Sequence, residues 1–211
     1  MRKPITNRTP LWVNKFPWYA VYIIGLLPAV WVFYMAFSNQ LGGNPVRTLE
    51  HTLGLWALRF IIIGLMVTPL RKLAGVNLLR FRRAFGLIAF YYAALHFSVY
   101  AVLDQGLAMD RIINDIIKRP YIIAGMVAFV ILIALAVTSN SFSIKKLGSK
   151  GWSRLHKLVY LAAASAALHF VLSVKSWPNE PLIYAGIIAV LLGYRLVDPI
   201  KKRMSHSAAL S

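Results

Sequence analysis

The chain of 211 residues contains no cysteine and only six acidic residues. Without thiols there is no disulfide framework, no thiolate zinc site, no cysteine-ligated iron–sulfur cluster, no covalently attached c-type haem and no cysteine nucleophile. Any metal is left to histidine, carboxylate, methionine or backbone, and five histidines make that candidate set short. Charge is scarce too: 14% of residues are charged and 59% are hydrophobic, against about 25% and 45–50% in soluble domains. That deficit points to an integral membrane protein. No Gly-rich dinucleotide fingerprint, no evident strand and no connection long enough for a second domain is found. The chain reads as one domain over residues 1–211 without a pyridine-nucleotide module of its own.

What is present is a set of six apolar runs, at about 17–37, 52–70, 84–103, 120–138, 152–174 and 181–197. Each is near the roughly 20 residues that a spanning helix needs. The expected fold is an all-α, six-transmembrane-helix bundle. The first run follows Arg2, Lys3, Arg8 and Lys15 but lacks a small-x-small cleavage site, so it reads as a retained anchor. A net charge of +18 would suit a nucleic-acid partner in a soluble protein. Here eighteen basic residues fall at one set of ends (the N-terminus, 71–83, 145–157 and the tail) and only five, with five of the acids, at the other. The positive-inside rule accounts for that alternation without a polyanion and places both termini in the cytoplasm. The sixteen residues from Asp104 to Arg119 form the longest connection and are expected to carry a short interfacial helix on the outer side. Trp12, Trp18, Trp56, Trp152 and Trp177 fall near the expected interfaces, where aromatic anchors are favoured.

Ionisable groups in hydrocarbon are costly and mark function by default. No acid lies deep in any run, which argues against ion translocation and against His-plus-carboxylate zinc sites. Arg154, Lys157 and Arg195 lie near the cytoplasmic boundary and are expected to snorkel. His51 sits at the outer edge of the second run. What remains is His96, His156, His169 and Arg59. His96 is about 18 Å along its outward-running helix and His169 about 25 Å along its own. Both fall in the outer half, where they can supply two axial ligands of one b-type haem. A membrane histidine also serves by bonding a neighbouring carbonyl and locking helix packing. His156 lies about 20 Å inward of His169 and about 140° round an ideal helix from it. Arg82 and Arg83, not a histidine, stand opposite at that depth. His156 is therefore expected to be an alternative ligand or part of an inner site for an anionic cofactor. Arg59 can fork onto a haem propionate or snorkel to outer headgroups. The basic stretch with Arg71, Arg80, Arg82 and Arg83 can meet a flavin phosphate, the cytoplasmic leaflet or an acidic partner.

Three stretches, NPVRTLEHTLGLWALRF at 44–60, RRAFGLIAFYYAALHFSVY at 82–100 and GWSRLHKLVYLAAASAALHF at 151–170, resemble the ferric-reductase-like transmembrane domain. With TPLRKL and PLIYAG added, the resemblance covers nearly the whole chain, and within that family it is to the haem-binding membrane subunits of periplasmic methionine-sulfoxide reductase systems. It implies a bacterial inner-membrane protein with haem b and FMN. The quinone pool or a cytosolic flavin reductase would supply its electrons, and a periplasmic molybdopterin-containing subunit that reduces methionine sulfoxide in damaged proteins would receive them. The family's haem-associated histidines carry over onto His96, His156 and His169, and His51 matches a further family position. The larger oxidases of the superfamily pair histidines at two levels, whereas the third helix here has only His96. On this reading the chain makes no bonds itself and supplies electrons, with Glu50, Asp104, Asp110 and Asp115 on the outer docking face. A quinol oxidoreductase or ferric reductase with another acceptor, and a haem-free small-molecule transporter, are the competing readings.

Overall fold

The computed structural model describes residue 13, residues 15–174 and residues 178–207, with backbone alone from 198 onward. Arg2, Lys3, Arg8, Trp12, Lys175 and Trp177 lie outside the described residues. The helices are α1 Ala20–Phe37, α2 Pro45–Leu73, α3 Arg82–Ser98, α4 Met109–Lys118, α5 Pro120–Val137, α6 Ser141–His156, α7 Val159–Ser173 and α8 Asn179–Ser207. A 3-10 turn, Leu79–Phe81, leads into α3, and a π-helical turn, Val99–Asp104, extends it. No strand occurs among the described residues, and six spans are long and apolar enough to cross a membrane.

Two of the expected spans differ from what the chain forms. The second begins at Pro45 rather than near 52. Asn44 caps it, accepting from the Arg47 amide at 3.1 Å, and Pro45 takes the first helical position, where its missing N–H costs nothing. The polar residues Arg47, Glu50 and His51 disguise those first turns, so Glu50 and His51 sit inside a helix and not at its edge. The fifth begins at Ser141 rather than near 152, and Ser141–Ser173 form one span. Asn140 starts α6 by accepting from the Ser143 amide at 2.7 Å, Gly148 takes φ 68° inside it, and Lys157 and Leu158 keep right-handed helical backbone, tightened by i→i+3 bonds, between α6 and α7. The short helix expected in the 104–119 connection is α4.

The most extensive pairings are α2 with α3 and α5 with α7, two antiparallel hairpins; α3 meets α5, α8 lies on α7 and α2, and α1 on α2 and α3. Leu53, Leu65, Ile88, Tyr92 and Ile188 are fully buried at the centre, and Ala162 and Ala163 let α7 approach closely. In a bilayer such contacts gain little from the hydrophobic effect, so dispersion and interhelical hydrogen bonds of about 0.6–2 kcal/mol each carry the association. One such bond fastens α1. Pro28 lacks the N–H that closes the preceding turn, and the Tyr92 hydroxyl enters there, donating to the Gly25 carbonyl at 2.8 Å and accepting from the Ala29 amide at 3.0 Å. Beside it an apolar groove of about 920 Å³ runs past Leu27, Trp31, Thr52 and Trp56, with no titratable side chain in its lining.

Candidate metal centre between two helix hairpins

His96 stands near the end of α3 and His169 near the end of α7, on the side of the bundle that carries α4. Their ring centres are 6.1 Å apart and their planes meet at 78°. His96 Nδ1 lies 2.8 Å from the Glu50 carbonyl in α2, and His169 Nδ1 lies 2.7 Å from the Tyr121 carbonyl in α5. A carbonyl oxygen only accepts, so each Nδ1 carries the proton and donates. Each Nε2 is left with its lone pair, the tautomer that a metal-binding imidazole needs, oriented by a backbone acceptor. Each ring also lies against a glycine four residues after its carbonyl, Gly54 in α2 and Gly125 in α5.

The separation suits a shared metal ion. A metal sits about 2 Å from an imidazole nitrogen, which is itself about 1 Å from the ring centre, so a bis-imidazole centre needs ring centres roughly 6 Å apart. The observed distance matches. With no cysteine, and no cluster of three or more metal-ligating side chains among the described residues, a two-histidine site suits a metal whose other bonds come from a macrocycle. The residues fit a haem.

The other expected residues separate into two groups. On the same side, His51 is exposed and packs against Phe170, the neighbour of His169, with ring centres 5.8 Å apart. Arg59 is half-buried. Its Nε donates to the Tyr184 hydroxyl at 2.8 Å and its guanidinium lies 4.8 Å from the Trp56 ring centre. Among the expected docking acids, Asp104 and Asp110 are exposed and Glu50 is half-buried. Asp115 is tied to Arg119 at 3.3 Å, and Arg119 also donates to the Tyr121 hydroxyl at 3.0 Å.

On the opposite side His156 stands apart from the pair. It stacks on Trp152 with ring centres 3.8 Å apart, and its Nε2 meets the Thr138 hydroxyl at 3.3 Å. That hydroxyl already donates to the Ala134 carbonyl at 2.7 Å, so Nε2–H is the donor to its oxygen. Arg82 lies within electrostatic range of His156. Arg71 falls in the last turn of α2 and Arg83 in the first turn of α3, and Arg80 donates to the Val13 carbonyl at 2.7 Å. This side offers an anionic cofactor positive charge and one imidazole.

Sequence reasoning placed the histidines and missed what holds them. Main-chain carbonyls leave no side-chain signature; the legible trace was a glycine in each of two apolar helices, where alanine is the better former. Arg195 was expected to snorkel, and it does not. It donates to the Tyr160 hydroxyl at 2.6 Å and to the Leu65 carbonyl at 2.7 Å, inside the bundle.

Residues 52–167 match the family described as ferric reductase like transmembrane component. A relative from Brucella anthropi is 59% identical over 85% of this chain and 81% of its own length. Relatives from Brucella ovis and Brucella canis are each 56% identical over 94% of this chain and 88% of theirs. All three are named "Protein-methionine-sulfoxide reductase heme-binding subunit MsrQ". The chain belongs to the ferric-reductase-like transmembrane family, within its MsrQ branch.

Proposed function

We propose that this chain is a haem b membrane subunit that passes electrons across the bacterial inner membrane. They come from the quinone pool or a cytosolic flavin reductase and go to a periplasmic molybdopterin-containing methionine-sulfoxide reductase. The observation that carries the reading is the pair His96–His169, at metal-bridging separation with both Nδ1 atoms bonded to carbonyls. The name of the relatives supports it. When bound, the haem supplies one-electron redox chemistry in the outer half of the bilayer. The chain's own groups bind and orient it. His96 and His169 would hold the iron through Nε2, while the Glu50 and Tyr121 carbonyls fix the rings. Arg59, whose only polar side-chain partner among the described residues is Tyr184, would offer its guanidinium to a propionate. His51 stands where electrons would leave toward the partner.

FMN belongs, on this reading, at the opposite side. Arg82, with Arg71, Arg80 and Arg83 near it in sequence, would meet the phosphate, and His156 would serve the flavin rather than the iron. His156→Ala is expected to keep haem and lose FMN, read by absorbance and by flavin fluorescence of the denatured protein. Haem lost with FMN retained would instead make His156 an iron ligand.

The functional test mixes the dithionite-reduced, desalted chain with a purified periplasmic molybdopterin methionine-sulfoxide reductase and free methionine sulfoxide. Reoxidation of the reduced haem band, needing both additions, is the expected result. A band that stays reduced with both present contradicts this acceptor. Reoxidation by ferric chelates alone would favour the ferric-reductase alternative.

A further inference from the structure

We propose that Gly54 and Gly125 are positioning residues that set the planes of the two imidazoles, and through them the ligand field of a metal held between the rings. The claim about the metal rests on the haem reading above; the claim about the rings does not.

Neither glycine takes a left-handed φ, so backbone conformation does not call for it, and in a helix each costs about 0.5–1 kcal/mol relative to alanine. The reason is space. A Cβ on Gly54 would lie 3.0 Å from His96 Nδ1 and 3.2 Å from its Cε1. On Gly125 it would lie 2.7 Å from His169 Nδ1, 3.1 Å from Cε1 and 3.2 Å from Cγ. In both cases the three nearest heavy atoms belong to the histidine ring.

The hydrogen bond and the glycine are coupled by helix geometry. A helical carbonyl at position i points along the axis toward residue i+4. A ring that donates to the Glu50 carbonyl therefore lies beside residue 54, and one that donates to Tyr121 lies beside residue 125. Any side chain at i+4 occupies the place of the ring. Carbonyl and bare Cα together anchor one ring edge and lay the ring against the helix. The two hairpins do this from different helices, and the planes meet at 78°. An iron held between the rings at this angle would have nearly degenerate d orbitals and would give a strongly anisotropic ferric low-spin signal. Turning either ring lowers that anisotropy.

The test uses the full chain in detergent with Gly54→Ala and Gly125→Ala. Gly64→Ala in α2 and Gly86→Ala in α3 are the controls, since a Cβ there meets only Phe85 at 3.9 Å or nothing within 4 Å. The expected result is a lowered maximum g value or lost haem in both test variants, larger for Gly125→Ala, with both controls like wild type. Haem-free full-length protein gives a second readout. Gly125→Ala lowers its melting temperature when His169 is present and leaves or raises it in the His169→Ala background.

Test variants with wild-type g values and haem content overturn the proposal while the haem reading stands. A wild type that binds no haem but shows the His169-dependent melting change overturns the haem reading and keeps the ring contact. Aggregation of both test variants even in His169→Ala and His96→Ala backgrounds shows that the glycines serve helix packing alone, which also overturns the proposal.

Discussion

Arg195 shows how a residue whose sequence signal points outward is turned inward by a defect in another helix. Pro69 in α2 has no N–H, so the Leu65 carbonyl one turn earlier loses its helical donor. The Arg195 guanidinium, reaching across from α8, supplies the missing bond and also holds the Tyr160 hydroxyl. The exchange is not free, since Arg195 Nε is buried with no hydrogen-bond partner among the described residues. Hydrogen bonds to charged groups are worth about 1.5–3 kcal/mol, so Arg195→Ala is expected to destabilise the detergent-solubilised chain by roughly that much. Pro69→Ala restores an N–H to residue 69 and is expected to lessen the loss. A double-mutant cycle on denaturation free energies reads the coupling; strictly additive losses would contradict it. Nothing in the sequence pairs position 195 with position 65, because the link is a main-chain carbonyl whose need arises from a proline four residues on.

Among the elements, helix existence was legible and helix continuity was not. Apolar runs of about 20 residues report the hydrocarbon thickness, and all six appear as spans. Irregularities along the spans depend on local geometry that hydropathy does not register: the positive φ of Gly148, the tightened i→i+3 turn at 157–158 and the π-helical turn after His96. His156, on Trp152 and Thr138, and His169 lie on one span, well apart along it. The attachment of α1 is likewise a local event. Tyr92 bridges Gly25 and Ala29, groups that pair with each other in an unbroken helix, next to a proline that opens the turn. Tyr92→Phe removes that bridge from a fully buried site and is expected to cost about 1–3 kcal/mol. Proteolysis at the 38–44 connection should become faster. A variant as stable and as protease-resistant as wild type would show that packing alone holds α1.

At the scale of the molecule, charge alternation between spans predicts which ends share a side, and both termini are expected in the cytoplasm. The absence of cysteine makes this directly testable. Asp110→Cys in α4 should react with a membrane-impermeant maleimide in intact spheroplasts, and Ser149→Cys in α6 only after permeabilisation. The reverse pattern would invert the bundle and put the histidine pair on the cytoplasmic side. The site itself was half legible. Equal depth of His96 and His169 along two helices expected to run the same way is matched by ring centres 6.1 Å apart. Their matching supports were hidden because the two hairpins repeat a geometry, carbonyl at i and glycine at i+4, and not a side-chain pattern.

The central claim is that His96 and His169 together hold one haem b. It is tested most directly by reduced-minus-oxidised visible spectra of the purified chain beside His96→Ala and His169→Ala. A low-spin b-type difference spectrum in the wild type, lost in both variants while His156→Ala keeps it, is the expected result. A properly folded wild type without a haem spectrum, or a spectrum that survives both substitutions, would contradict the account.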